Sequence, residues 1–179
     1  MVSIVAHMPD GESVEVGIVG FEGMTSISLV LGVDIAPHEA MVQIHDGALR
    51  MPAQALLAEF KRGGALHDRL LRYAQGQLLQ TSQIAACNRL HTVSERLARW
   101  LLMSHDRCVC DDLPLTQEFL SLMLGVRRAG VTESANMLHN EGYITYRRGQ
   151  IKIIDRAGLE RYACDCYQIV KEEFDLLVG

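Results

Sequence analysis

Over the first sixty residues apolar positions alternate in short runs; from residue 65 onward they recur at three- and four-residue intervals. "SVEVGIV" alternates, "AMVQI" is a further strand candidate, and "PDG" and "HDG" are turn signals. "MPAQALLAEF" then reads as a short helix. Residues 65–88, "ALHDRLLRYAQGQLLQTSQIAACN", contain no proline and predict one long helix. Two stripes run along it. Leu66, Leu70, Tyr73, Gln77, Gln80, Ile84 and Cys87 follow four–three spacing, and Leu71, Ala74, Leu78 and Ala85 form a second apolar line. Two stripes imply two partners, the strand-rich part of the same chain and a second copy of it. We assign Leu66, Leu70, Tyr73, Gln77, Gln80 and Ile84 to a dimer interface; the alternative is an ordinary buried helix.

Residues 92–104, "TVSERLARWLLMS", predict another amphipathic helix, with Thr92 or Ser94 as its cap. "DRCVCDDLP" reads as a loop. Thr116 then caps "QEFLSLML", Gly125 interrupts, and a second helix runs from Val126 to about Glu141. "YITYRRGQIKII" alternates on both sides of Arg148-Gly149 and predicts a hairpin, and the tail from Arg156 is helical. This order is a helix-turn-helix followed by a β-hairpin wing. Phe119, Leu120, Met123 and Leu124 are expected to pack on Val131, Ala135 and Leu138, leaving Ala129, Thr132, Glu133, Asn136 and Asn140 outward with Arg128 at the edge.

Arg127 and Arg128 then stand in the first turn of a helix, where the dipole is positive and cations are disfavoured by some tenths of a kcal/mol. An anion resolves the conflict. Free N–H groups at a helix start already attract phosphate, and two guanidinium groups strengthen the site once the anion is bound. Arg128 could instead reach guanine O6 and N7 in a major groove. On the wing, Arg147, Arg148 and Lys152 would meet neighbouring phosphates. A winged helix can also bind protein, and its basic surface can simply be solvated.

Charge distribution sharpens this reading. The 179 residues carry a net charge of −5, yet residues 1–49 hold no Lys or Arg, and residues 125–152 concentrate five of them against two glutamates. A basic patch within an acidic chain is a focused electrostatic site. Apolar residues make up 49% of the chain, enough for a core. No long uncharged apolar run predicts a membrane span, and "MVSIVAHMPDGE" is not a signal peptide. Five cysteines without a secretory signal are expected to be free thiols in a cytoplasmic protein.

The stretch "TVSERLARWLLM…LPLTQEFLSLMLGVRRAGVTESANMLHNEGYITYRRGQIKIIDRAGLE" resembles the DNA-binding domain of the Crp/Fnr family of bacterial transcription regulators over residues 91 to about 160. "DGESVEVGIVGFEGM" through the long helix is similar to the second half of that family's β-roll effector domain and its dimerisation helix. The resemblance implies an α+β chain: a partial β-roll and dimerisation helix over residues 1–90, and a winged helix-turn-helix over 91–179. It implies a homodimer on a two-fold symmetric operator in double-stranded DNA, and contacts with RNA polymerase. The family's turn glycine falls on Gly125 and its base-reading arginine on Arg128. Two further base-contacting positions fall on Ala129 and Glu133, where the family's cyclic-AMP receptor has an acid and an arginine. Ala129 cannot accept from cytosine, so a different operator is expected.

Other departures concern the effector half. Gly20, Glu22 and Gly23 are similar to the ribose-binding element of cyclic-nucleotide binders, but the phosphate-binding arginine is absent, since no Lys or Arg precedes Arg50. A phosphate among seven carboxylates is physically poor, so cyclic-nucleotide control is not expected. The β-roll needs further strands before Val2. Either the chain is truncated or another surface covers the exposed strand edges.

His105, Cys108 and Cys110 give H-x-x-C-x-C without a fourth ligand. Cys164 and Cys166, read as lying on one helix, would point about 200° apart and should not share an ion. The N-terminal cysteine cluster that holds iron–sulfur in Fnr-type members has no counterpart here, and Cys87 is expected to serve packing. No cofactor or metal is assigned. The Walker, dinucleotide, G-x-S-x-G and H-E-x-x-H motifs are absent, and no enzyme is expected. The reading is a DNA-binding regulator. The alternatives are a modulator that pairs with a relative of full length, and a metal or thiol sensor built on the Cys108 loop.

Overall fold

The computed structural model describes residues 1–108, 111–147 and 149–179. Three strands, β1 (Val2–His7), β2 (Ser13–Val19) and β3 (Glu39–Val42), form an antiparallel sheet in the order β2-β1-β3. A bulge breaks the β1–β2 register: Ile4 faces Gly17 and Val5 faces Glu15, so Val16 is the extra residue. A short helix, α1 (Ala53–Lys61), leads to the long α2 (Ala65–Leu90), whose bounds agree with the apolar spacing.

Helix α3 (Val93–Asp106) is the buried axis of the molecule. Thr92 caps it in a reciprocal box, its hydroxyl accepting from the Glu95 amide while the Glu95 carboxylate accepts from the Thr92 amide. Leu97, Trp100, Leu101, Leu102 and Met103 of α3 are buried in the main core. That core is continuous from Val5 and Ile18 in the first sheet to Leu120, Val131 and Leu138 beyond α3.

Next come β4 (Asp112–Leu113), α4 (Gln117–Leu124), α5 (Arg128–Asn140), β5 (Ile144–Arg147) and β6 (Gln150–Ile153). β4 falls in a stretch expected to be loop; it pairs with β6 to complete a three-stranded sheet in the order β4-β6-β5. The tail is two helices, α6 (Arg156–Tyr162) and α7 (Cys166–Val178), because the chain leaves α6 through an extended Ala163. α7 packs along α2, where Gly76 admits the Phe174 ring. Arg69 and Arg72 of α2 donate to the Val178 and Leu177 carbonyls, cations placed at a helix C-terminus.

Candidate nucleic-acid interface

Helix α4 begins at Thr116, whose hydroxyl accepts from the Phe119 amide at 3.2 Å, and ends at Gly125 in the left-handed region (φ 60°). A glycine takes that conformation without a Cβ penalty. Leu120, Met123 and Leu124 of α4 and Val131, Ala135 and Leu138 of α5 are buried in one core, with Phe119 packed at its edge against Trp100. The buried Arg96 of α3 donates to the Leu124 carbonyl, fixing the end of α4 on that axis. The wing is tied back through the Tyr143 amide to the Leu138 carbonyl (3.0 Å) and through His139 Nδ1 on the Ile144 carbonyl (3.0 Å).

α5 starts at Arg128, two residues later than its apolar spacing predicts. Arg127 is therefore the N-cap residue, extended at φ −65°, ψ 145°, and no side chain caps the helix. The helix thus begins with first-turn amides that no side chain caps, between two exposed arginines. Ala129, Glu133 and Asn136 are exposed on the same helix. Thr132 is half-buried, and its hydroxyl is committed to Gln117 Oε1 (2.9 Å) and the Arg128 carbonyl (3.0 Å), which fastens α5 to α4. Arg147 and Lys152 are exposed on the wing, where Lys152 stands opposite Thr145 and Asp112 in register. Arg148 lies outside the described residues. Among the described residues, Arg127, Arg128, Arg147 and Lys152 form no ion pair.

The proposed dimer stripe needs correction. Leu70, Tyr73, Gln80 and Ile84 are buried within the chain: Tyr73 donates to the Met24 carbonyl, Gln80 donates to the Ile18 carbonyl, and Tyr73 meets Phe174 edge-on. Gln77 donates to the Tyr73 hydroxyl, and only Leu66 of the six is exposed. These are contacts of the chain with itself. Of the second stripe, Leu71 is 42% and Leu78 62% exposed, and Ala85 is exposed as well.

Glu22 is also occupied internally. Its Oε1 accepts from Arg107 Nε at 2.6 Å and from the Gly20 amide at 3.2 Å, and Arg107 lies 5.5 Å over the Phe174 ring. Counting cations within residues 1–49 could not reveal an arginine delivered by the end of α3. Gly20 and Gly23 are held to glycine by close approach, a Cβ on Gly23 falling 2.3 Å from the Tyr73 ring. A cavity of about 620 Å³ lies beside this pair, lined by Arg69, Lys171 and Asp175 among others.

The H-x-x-C-x-C loop gathers no ligand set among its described residues. His105 contacts Asp111 and Arg156 through its two ring nitrogens, and Cys108 donates to the Ser104 carbonyl; Cys110 lies outside the described residues. A second correction follows from the break between α6 and α7. Cys164 is not helical, and its thiol meets those of Cys87 and Cys166 and the ring of His91, with all four donor atoms within 4.8 Å of one another. The signal was present in "CNRLH", which puts Cys87 and His91 four apart on one helical face. Assuming a continuous tail helix hid the other half.

The family described as the Crp-like helix-turn-helix domain matches residues 95–162. Residues 95–162 form a Crp-like helix-turn-helix domain. Solved structures share the fold over about 90% of the chain. A CRP-family transcriptional regulator from Thermus thermophilus superposes at TM-score 0.70 and 22% identity, over 90% of this chain and 83% of that one. A second regulator of that organism, of the CRP/FNR family, gives 0.66 at 19% identity over 90% and 82%. FixK2 from Bradyrhizobium japonicum gives 0.65 at 16% over 91% and 83%. No curated protein matches in sequence. The chain thus has the α+β fold of Crp/Fnr regulators with its Crp-like domain toward the C-terminal end. Among the described residues, no helix is long and apolar enough to cross a membrane.

Proposed function

We propose that the chain is a sequence-specific DNA-binding transcription regulator that acts as a homodimer on a two-fold symmetric operator. The observation that carries this reading is the uncapped start of α5, exposed and flanked by Arg127 and Arg128 without acidic partners. A helix whose inner face is locked by Leu120, Val131 and Leu138 presents that end rigidly, as major-groove readout requires. Arg128, Glu133 and Asn136 face bases, and Ala129 leaves room for a base edge. Thr132 holds the helix pair together and is placed near the bases. Arg127, Arg147, Arg148 and Lys152 meet phosphates. The copies join along Leu71, Leu78 and Ala85 of α2, the face that the chain leaves open. Glu22 is engaged by Arg107 through Oε1, and cyclic-nucleotide control is not part of this reading.

Selection from a random duplex library at two salt concentrations tests the proposal. A palindrome with half-sites about one helical turn apart, bound more weakly at high salt, is the expected result. A folded protein that enriches no sequence would contradict it.

A further inference from the structure

Three buried thiols and an imidazole meet where α2 ends and α7 begins. Cys87 and His91 come from the last turn of α2 and its C-terminal boundary, and Cys164 and Cys166 flank Asp165 at the entry to α7. Cys87 is completely buried, Cys164 and Cys166 nearly so, and His91 partly. The thiols of Cys87 and Cys164 are 3.5 Å apart, as are the Cys166 thiol and His91 Nδ1. A tetrahedral ion with metal–sulfur bonds of about 2.3 Å sets its sulfurs roughly 3.8 Å apart. The Cys87–Cys164 spacing lies just below that value, and no two of the four donor atoms are more than 4.8 Å apart. Four donors so close suit one ion and leave no room for a multi-iron cluster among them.

Charge supplies a second, independent observation. Arg96 and Arg99 are buried, neither forms an ion pair among the described residues, and the Nε of each has no hydrogen-bond partner. Buried cations are ordinarily paired. Arg99 acts electrostatically on the Cys87 thiol, and Arg96 responds to both Cys87 and Cys164. Three thiolates around a divalent ion carry one net negative charge, which would offset part of the charge of these two arginines.

We propose that Cys87, His91, Cys164 and Cys166 bind one zinc ion in a closed, tetrahedral, structural site. Sulfur-rich four-coordinate donor sets select such an ion, and four protein ligands leave no open position for chemistry. Binding releases the thiol protons and leaves the ligands' oxidation state unchanged. His91 lies in the connection between the long helix and α3, so the ion would pin the start of the Crp-like domain and the tail helix to the end of α2. The site is independent of DNA binding.

The test uses the whole chain, purified under reducing conditions, with metal content measured and the metal-free protein titrated anaerobically with cobalt(II). About one zinc per chain is expected, and a tetrahedral cobalt spectrum with thiolate-to-metal charge-transfer absorption. Cys164→Ser and Cys166→Ser should each remove about a third of that absorption, while Cys108→Ser leaves it unchanged. Should the serine variants not fold, the cobalt spectrum of the unaltered chain decides alone. An octahedral spectrum, no uptake, iron with sulfide, or a Cys87–Cys164 disulfide in place of metal would overturn the proposal.

Discussion

The two halves of the molecule handle apolar surface in opposite ways. In the Crp-like domain the apolar positions that join α4 to α5 are buried, Leu120, Val131 and Leu138 completely, within about twenty residues of sequence. In the first sixty residues, Phe21 is 83% exposed, and Leu31, Val33, Ile35, Val42 and Leu49 are exposed too. Val5 and Ile18 of that half reach the common core, and two polar contacts from outside it hold buried carboxylates: Arg107 on Glu22, and Trp100 on Glu15. One half buries most of its apolar pattern, while the other leaves much of its pattern open and relies in addition on side chains from α3 and its C-terminal end.

The sharpest way to break this comparison is Arg107→Ala. It removes a partly buried cation and strands Glu22, with a cost of about 3–5 kcal/mol when an uncompensated charge is left inside; urea unfolding should show it. Next, Leu120→Ala should cost about 2–5 kcal/mol through cavity formation, whereas Leu49→Ala should stay within roughly 0.5 kcal/mol. Equal losses in the same unfolding experiment would erase the distinction.

Glu15 sharpens the comparison through pH. Burial pushes its carboxyl up to about 7, against donors Ser3 and Trp100 that only partly compensate. Between about 4.5 and 7 the folded chain keeps a proton that the unfolded chain has released, so stability falls as pH rises through that window. The loss is on the order of 3 kcal/mol and complete above it. Glu15→Gln, whose oxygen can accept from Trp100 while its amide donates to the Ser3 hydroxyl, should flatten this slope, a result that thermal melts from about pH 5 to pH 8 would show. Thr92→Ala removes the α3 cap for about 1 kcal/mol; its melting shift should be smaller than those of Arg107→Ala and Leu120→Ala.

The same contrast explains what the sequence could show. α4 and the wing follow from a cap, a glycine and alternation, because their partners are near in sequence, and the extent of α2 follows from its spacing alone. Glu15 does not follow, because alternation in "SVEVGIV" turns it outward, and the bulge at Val16 that changes the face of the strand has no local mark. Its partner Trp100 is 85 residues away. The inner stripe of α2 was legible as a stripe, but which partner it meets depends on Phe174 and Ile18, placed by the tail and the sheet. The start of α5 moved by two residues because Gly125 ends α4 with a turn that keeps Val126 and Arg127 out of the helix. The basic face itself was legible, since exposed arginines beside an uncapped helix need no distant contact.

The measurement closest to the central claim compares the base preferences of Arg128→Ala and Arg147→Ala on the selected operator. Arg128→Ala should cost about 1–3 kcal/mol and relax preference at one position in each half-site. Arg147→Ala should weaken all sequences alike and lower the salt slope by about one. If Arg128→Ala leaves every base preference unchanged, α5 is not the reading helix and the account is wrong.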